Sequence, residues 1–568
     1  MPLCVKQRAT CARRVLPNCR RRFVRACRYT SIHRRSSRGF SATPRRGRNM
    51  LATRYKACAL MIVATLAAAA LVLGRETARS SPAPVAEQGG PAKPARLYYG
   101  VLACSNGGCH NNPTSPNQKD ILLCAYDEVD IWTKHDKHRL AAKVLSGERS
   151  KQMAKLLGIK GDIAKEPSCV SCHGVIVEDK NSVHESFDPQ EGVSCGVCHG
   201  HYSDWVAQHS AFLQRKKWRS LGRAVKEEQF GMRDLWDPEK RATLCASCHI
   251  GNAAEGKVVT HAMYAAGHPP LPGVELATFS DAMPRHWKYL SEKPANVQKI
   301  LEYDPSKSSL ERTELVVVSA LVSFRESMKL LAAQAEQGAE AKEADRAWPE
   351  LAQFDCYACH HDLKSDSWRQ KRGYAGKPGR PTMRAWPTAL VPLAVLHVGK
   401  ANPEREQKLA SELRDKLKEL TAAFDAQPFG DAKTVAIAAR QAAQWADTIL
   451  KDFKTAPFDR AAAQHLVVGM GKESKLRLLD FDSARQFGWA FRSIQGELDP
   501  KFTANADSAK ALKELDEQLK LELPKGQVEI SKDFLKDALE KLNNYEPEQF
   551  RRTFERLMQN GQKQTRKE

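Results

Sequence analysis

The sequence predicts a mainly α-helical protein. Between residues 97 and 290, short segments are separated by glycines and prolines, for example Gly192 and Pro269-Pro270, and this punctuation favours short helices and loops over sheet. From residue 308 onward, apolar residues recur at helical spacing. We therefore expect a loop-rich helical domain followed by longer helices and a C-terminal helical bundle.

The chain begins with a basic extension, residues 1–49, which carries 14 Arg, Lys6 and no acidic residue. This extension contributes +15 of the formal charge of +23, whereas residues from 75 onward carry 72 basic and 66 acidic groups, a net charge of +6. Because most of the basicity is confined to one end of the chain, we expect no nucleic-acid partner.

Residues 50–74 read as an export signal, since Arg54 and Lys56 precede an apolar run of 18 residues. Such a run fits a signal peptide and is also just long enough for a membrane anchor. Either Met50 is the true start and the extension is absent from the native protein, or the extension is a cytoplasmic arm ahead of the anchor. In both cases we expect a linker at residues 75–96 and a periplasmic or other extracytoplasmic location.

Five cysteine pairs, each followed directly by histidine, define five sites. Two residues separate the cysteines in sites 2–5, and four separate them in site 1. In chain order, sites 1 to 5 are Cys104/Cys109/His110, Cys169/Cys172/His173, Cys195/Cys198/His199, Cys245/Cys248/His249 and Cys356/Cys359/His360.

In this pattern the two thiols can form thioethers with one haem, and the adjacent histidine can bind its iron as the proximal ligand. Zinc sites also use paired cysteines. However, only 17 of 568 residues are histidine, so its presence after all five pairs is not expected by chance. We therefore predict five covalently attached haem c groups. After residue 75 only Cys124 lies outside the sites, so no disulfide framework is expected.

Sites 1–4 fall within residues 104–249, about 36 residues per site. A segment this short cannot bury each haem separately, so we expect the haems in domain 97–290 to stack against one another and to replace much of the ordinary core. The region 291–387 should contain a long amphipathic helix at 308–339 and then site 5.

The C-terminal domain, residues 388–568, has no further haem motif and reads as helical. Asn402 and Pro403 suit the cap and first turn of a helix with Leu409 and Leu413 on its apolar face. A second helix is expected through Val435 to Phe453, and later helices are expected at 474–495, 508–523 and 531–558. Their apolar faces should pack over the haem domain or form a homo-oligomer interface.

The sixth iron ligand separates two functions, because a second imidazole leaves the iron able only to exchange electrons, whereas an open position can bind small molecules. Nine histidines outside the motifs are candidates for five positions. We favour His138, His209, His261 and His268 as distal ligands, with His184 and His286 in reserve.

The motifs of sites 2, 3 and 4, together with the Trp132 to His138 segment, resemble the multihaem family of the tetrahaem cytochrome c that accepts electrons from hydroxylamine oxidoreductase. The resemblance covers residues 97–290 and implies a mainly helical fold with haems in stacked pairs. It also implies His138 and His209 as distal ligands. The chain departs from that family in the spacing of site 1, in site 5 and in the C-terminal helices.

We expect an exported pentahaem cytochrome c that relays electrons between redox partner proteins. The alternative is a multihaem oxidoreductase that acts on a small nitrogen or sulfur oxyanion at a five-coordinate haem, with the irregular site 1 as the candidate centre.

Overall fold

A computed structural model describes residues 97–105, 109–112, 123–177, 179–340, 348–363, 365, 367, 369–370, 377–476, 479–520 and 544–565. The basic extension, the signal or anchor segment and the linker lie outside these residues. In the described part of the chain, no helix combines the length and apolarity needed to span a bilayer. The chain from Arg96 to Glu568 forms one compact unit.

The fold is mainly α-helical, as predicted, and the β pairing in the described residues is limited to isolated bridges. The α-helices are α1 Leu102–Ser105, α2 Glu128–His135, α3 Glu148–Leu157, α4 Pro167–His173, α5 Cys195–His199, α6 Val206–Ser210, α7 Phe212–Ser220, α8 Arg223–Phe230, α9 Pro238–His249, α10 His261–Ala266, α11 Leu276–Ala282, α12 Ala295–Ile300, α13 Glu311–Glu340, α14 Trp386–Ala389, α15 Val391–Gly399, α16 Pro403–Asp425, α17 Ala432–Asp452, α18 Arg460–Leu476, α19 Phe481–Leu498, α20 Ala506–Leu519 and α21 Pro547–Thr565.

Short 3₁₀ helices connect many of these elements. They span Lys137–Leu140, Lys143–Ser146, Ile163–Lys165, Lys180–Ser182, Pro189–Glu191, Tyr202–Asp204, Ala253–Glu255, Leu290–Glu292, Leu351–Gln353, Cys356–Ala358, Phe453–Thr455 and Phe502–Ala504.

Helix α13 is the centre of the core. The sequence predicts it as amphipathic, but most of its length is buried, because α9, α11, α15, α17 and α19 pack around it. Two of its charged residues, Arg325 and Glu326, are buried with it and are therefore paired inside the protein. The Arg325 guanidinium donates to Glu239 at 2.6 Å, to Glu326 at 2.7 Å and to Asp447 at 3.1 Å. This cluster links α13 to α9, which carries site 4, and to α17.

The C-terminal helices differ from the predicted ones at their boundaries. Helix α16 starts as expected, since the Asn402 side chain accepts from the backbone N–H groups of its first turn. Helix α18 was not predicted, and the helix predicted from residue 474 begins instead at Phe481. Asp480 caps that helix by accepting from the Ser483 N–H at 2.9 Å. The last described helix begins at Pro547, and residues 521–543 lie outside the described chain.

The C-terminal helices share a core with the preceding region. Helix α19 packs against α11, α13 and α14. The Gln486 side chain donates to the Val274 carbonyl at 2.8 Å, and the Glu497 carboxylate accepts from the Thr313 N–H at 2.8 Å. The domain boundaries predicted at residues 290 and 387 stay predictions, and the helices on both sides of them are in contact.

Candidate haem sites

Each motif histidine faces a second imidazole, and the ring centroids of every such pair lie at similar distances. The pairs are His110 and His209 at 5.9 Å, His173 and His268 at 6.4 Å, His199 and His286 at 6.3 Å, His249 and His138 at 6.3 Å, and His360 and His261 at 6.3 Å.

This spacing fits an iron held between two imidazoles. Metal–imidazole bonds of about 2 Å, with about 1 Å more from nitrogen to ring centre, place two axial rings about 6 Å apart. The described cysteines are free thiols, as thioether formation requires. The Nδ1 atoms of His110, His138, His173 and His268 lie within hydrogen-bonding distance of protein oxygens, which leaves Nε2 of these rings for a metal.

At site 1, the proximal histidine is anchored by a carboxylate. The Glu128 Oε2 atom lies 3.0 Å from His110 Nδ1, and the other carboxylate oxygen accepts from the Ala125 N–H. Burial opposes protonation of His110, but the hydrogen bond and charge of Glu128 outweigh it and raise the pKa of the imidazole. The half-buried Cys124 thiol completes this cluster, whose ligand atoms lie within 4.8 Å of one another. Neither Glu128 nor Cys124 could be identified as a partner of His110 from the sequence pattern.

The other side of site 1 is aromatic. Helix α6 presents His209 between the rings of Trp205 and Trp218, with centroid distances of 5.1 and 5.6 Å. Burial is the main cause that lowers the pKa of His209 to about 4. The imidazole is therefore neutral at ordinary pH, which is the form that binds a metal.

Site 4 pairs His249, at the end of α9, with His138 in a 3₁₀ helix. Asp136 caps that short helix and places Oδ1 2.9 Å from His138 Nδ1. A capping carboxylate two residues before a histidine thus fixes the ring orientation. At site 2, the backbone carbonyl of Ala141 orients the His173 ring, and that of Pro269 orients the His268 ring.

At site 3, the ring that faces His199 belongs to His286, which the sequence ranked only as a reserve. Burial lowers the pKa of His199 to about 3. Site 5 pairs His360 with His261, the first residue of α10. His268, which faces His173 of site 2, lies two residues after the end of the same helix. One short helix therefore holds the facing rings of sites 2 and 5.

Of the four other candidate histidines, His135 is exposed and the remaining three have other contacts. His184, the other reserve, stacks on Tyr99 at 4.3 Å and its Nδ1 lies 2.9 Å from the Ser186 hydroxyl. His201 bonds similarly to Ser203. His361 points its Nδ1 at the backbone carbonyl of Asp362. Within the described residues, none of these three rings is paired with a motif histidine.

Cysteines of neighbouring sites lie close to one another. Cys104 of site 1 and Cys195 of site 3 are near enough for their thiols to interact, as are Cys172 of site 2 and Cys248 of site 4. Sites 3 and 4 are close enough for an electrostatic interaction between Cys198 and Cys245. Together with α10, these contacts give the spatial order 1, 3, 4, 2, 5.

The two ends of this series are the most open to solvent. Cys109 of site 1 and both cysteines of site 5, Cys356 and Cys359, are exposed. The six cysteines of sites 2, 3 and 4 are half-buried.

Comparison with known proteins supports the haem interpretation. Residues 105–200 match the family model described as cytochrome c554 and c-prime. This segment contains most of site 1 and all of sites 2 and 3. Neither a curated protein nor a solved structure matches the chain. The match supports a c-type cytochrome with covalently bound haem that functions in electron transfer.

Proposed function

We propose that the chain is a pentahaem c-type cytochrome that relays electrons between redox partners. The observation that supports this most strongly is the pairing of all five motif histidines with a second imidazole at 5.9 to 6.4 Å. When bound, haem c supplies one-electron exchange at its iron. The chain's own residues attach the groups, fix their axial rings and keep five sites adjacent.

In this proposal the distal ligands are the five facing histidines. They are His209 for site 1, His268 for site 2, His286 for site 3, His138 for site 4 and His261 for site 5. Four of them are the histidines favoured from the sequence. Ligation through Nε2 is consistent with the Nδ1 contacts of His138 and His268.

The spatial order of the sites supports a relay rather than five independent centres. Sites 1 and 5 stand at the ends of the series and have exposed cysteines, so each can meet a partner. Sites 2, 3 and 4 connect them through the interior. A protein with its two exposed ends joined in this way can accept an electron at one surface and release it at another.

The alternative is an oxidoreductase with an open iron at site 1. The longer spacing between Cys104 and Cys109 is the sequence feature that suggests this alternative. However, His209 faces His110 at 5.9 Å, the shortest of the five separations. This geometry favours a six-coordinate iron at site 1, and therefore the carrier.

Multihaem c-type cytochromes are typically extracytoplasmic, and we place this chain there. Cleavage of the N-terminal signal and any membrane attachment concern residues outside the described chain. Self-association through the C-terminal helices likewise stays a proposal.

Haem stoichiometry tests the proposal directly. The mature protein should contain five haems per chain by pyridine haemochrome assay, and its mass should exceed that of the polypeptide by five haem groups. Three haems or fewer per chain would refute the pentahaem assignment. A double variant in which both cysteines of one site are replaced by alanine should contain one haem fewer, and this should hold for each of the five sites.

A further inference from the structure

Helix α7, Phe212–Ser220, lies over site 1 and is the most basic described element of the haem region. Between Asp204 and Glu227 the chain has six basic residues and no acidic one. Arg223 of this segment is paired with Asp234, and Lys226 is buried. The other four basic residues all lie on α7.

The helix has one face toward site 1 and one toward solvent. Trp218 is 5% exposed and packs against Trp205 and against the ring of His209. On the solvent side, Lys216 and Lys217 are exposed. This division follows the helical period, since Lys216 precedes Trp218 by two residues and lies on the opposite side, and Lys217 lies between the two faces.

The same helix reaches the other axial ring of site 1. The Arg219 guanidinium donates to the Tyr126 hydroxyl at 3.0 Å, and the Tyr126 ring stacks beside His110 at 6.5 Å. Through Trp218 and Arg219, the helix thus contacts the surroundings of both imidazoles. A partner seated on its outer face would lie next to an exposed site at the end of the series.

The outer face also has an apolar contact point. Leu213 is 85% exposed, and it lies on the same side of the helix as Lys216 and Lys217. An exposed apolar residue beside positive charge suits a transient interface, in which charge steers the encounter and a small apolar patch is desolvated.

We infer that the outer face of α7 is the docking surface for an acidic redox protein that exchanges electrons with site 1. This inference rests on the proposed relay function and adds the chemistry of one partner. The partner should present carboxylates around its own redox centre. In the exchange the partner loses one electron and the chain gains it, with no bond made or broken.

The test uses a reduced, acidic plant-type ferredoxin as donor and the complete haem-loaded protein as acceptor. Stopped-flow reduction by the ferredoxin should slow at least tenfold at low ionic strength in the double variant Lys216→Glu/Lys217→Glu, and the difference should shrink as salt is added. The double variant Lys216→Gln/Lys217→Gln should give a smaller decrease in this rate. Because it removes the charges without reversing them, it tests the same surface if the glutamate variant does not fold.

The matched control is Lys510→Glu/Lys513→Glu, which makes the same change in net charge at exposed positions of α20. It should keep most of the wild-type rate. Equal rates for the α7 variants and the wild type, or an equal loss in the α20 control, would overturn the docking surface. The docking surface would also be overturned if the wild type binds anionic vesicles or DNA and ferredoxin does not compete with this binding.

Reduction by photochemically reduced lumiflavin, a neutral donor, separates the two proposals. All variants should accept electrons from it at the wild-type rate. If the wild type itself fails to take up five electrons from lumiflavin, the relay function fails. If it takes up five electrons but the rate of reduction by ferredoxin is unchanged by the α7 substitutions, only the docking surface fails.

Discussion

Replacing His286 by alanine is expected to convert one of the five haems from low-spin to high-spin iron, without loss of haem attachment. The ring of His286 is the one that faces His199, and no other described histidine is paired with that motif histidine. Removal of the sixth ligand leaves an open position. The variant should therefore bind carbon monoxide when reduced, with an occupancy of one per chain.

His184→Ala is the matched control for this prediction. His184 is also a half-buried histidine of the haem domain, but it contacts Tyr99 and Ser186 rather than a motif histidine. Its loss should leave the visible spectrum and the magnetic circular dichroism unchanged. A His286→Ala protein that stays fully low-spin and does not bind carbon monoxide would refute the assignment at site 3.

Replacing Arg325 by alanine is expected to lower the free energy of unfolding by about 2 kcal/mol, because the buried Glu326 carboxylate then keeps only the half-exposed Lys329 as its partner. Arg325 is 5% exposed and Glu326 is 9% exposed, whereas Glu239 and Asp447 can turn toward water. The loss should be visible as a lower midpoint in a denaturant titration of the haem-loaded protein.

Two comparisons make the Arg325 prediction specific. Arg492→Ala removes an exposed ion pair with Asp516 and should change stability by at most about 1 kcal/mol. The double variant Arg325→Met/Glu326→Gln should recover part of the loss, since it removes the buried charge as well. The explanation fails if Arg325→Ala is no more destabilising than Arg492→Ala.

The attachment motifs could be read from the sequence because they are local. Thioether formation and proximal ligation need two cysteines and a histidine within a few residues, so the covalent chemistry fixes their spacing. The ring that faces each motif histidine depends instead on tertiary structure. His138 faces His249, and His286 faces His199, from distant parts of the chain. Sequence reasoning could only count candidates, and it ranked His286 below the four histidines that it favoured.

The helical core shows the same limit. The charges of Arg325 and Glu326 made the helix at 308–339 read as amphipathic, although the run from Val316 to Val322 is almost entirely apolar. Pairing across three helices allows the charges to be buried. Helix α18 was missed because it contains Gly469, which disfavours a helix. In the structure a side chain at that position would clash with Leu396, so close packing of α15 outweighs propensity.

Quantitative electron paramagnetic resonance of the oxidised protein tests the central claim most directly. If all five irons lie between two imidazoles, the spectrum should contain low-spin ferric signals that account for five spins per chain, unchanged by added nitrite or hydroxylamine. A high-spin signal of one spin per chain that shifts on addition of either compound would contradict the carrier and support the oxidoreductase.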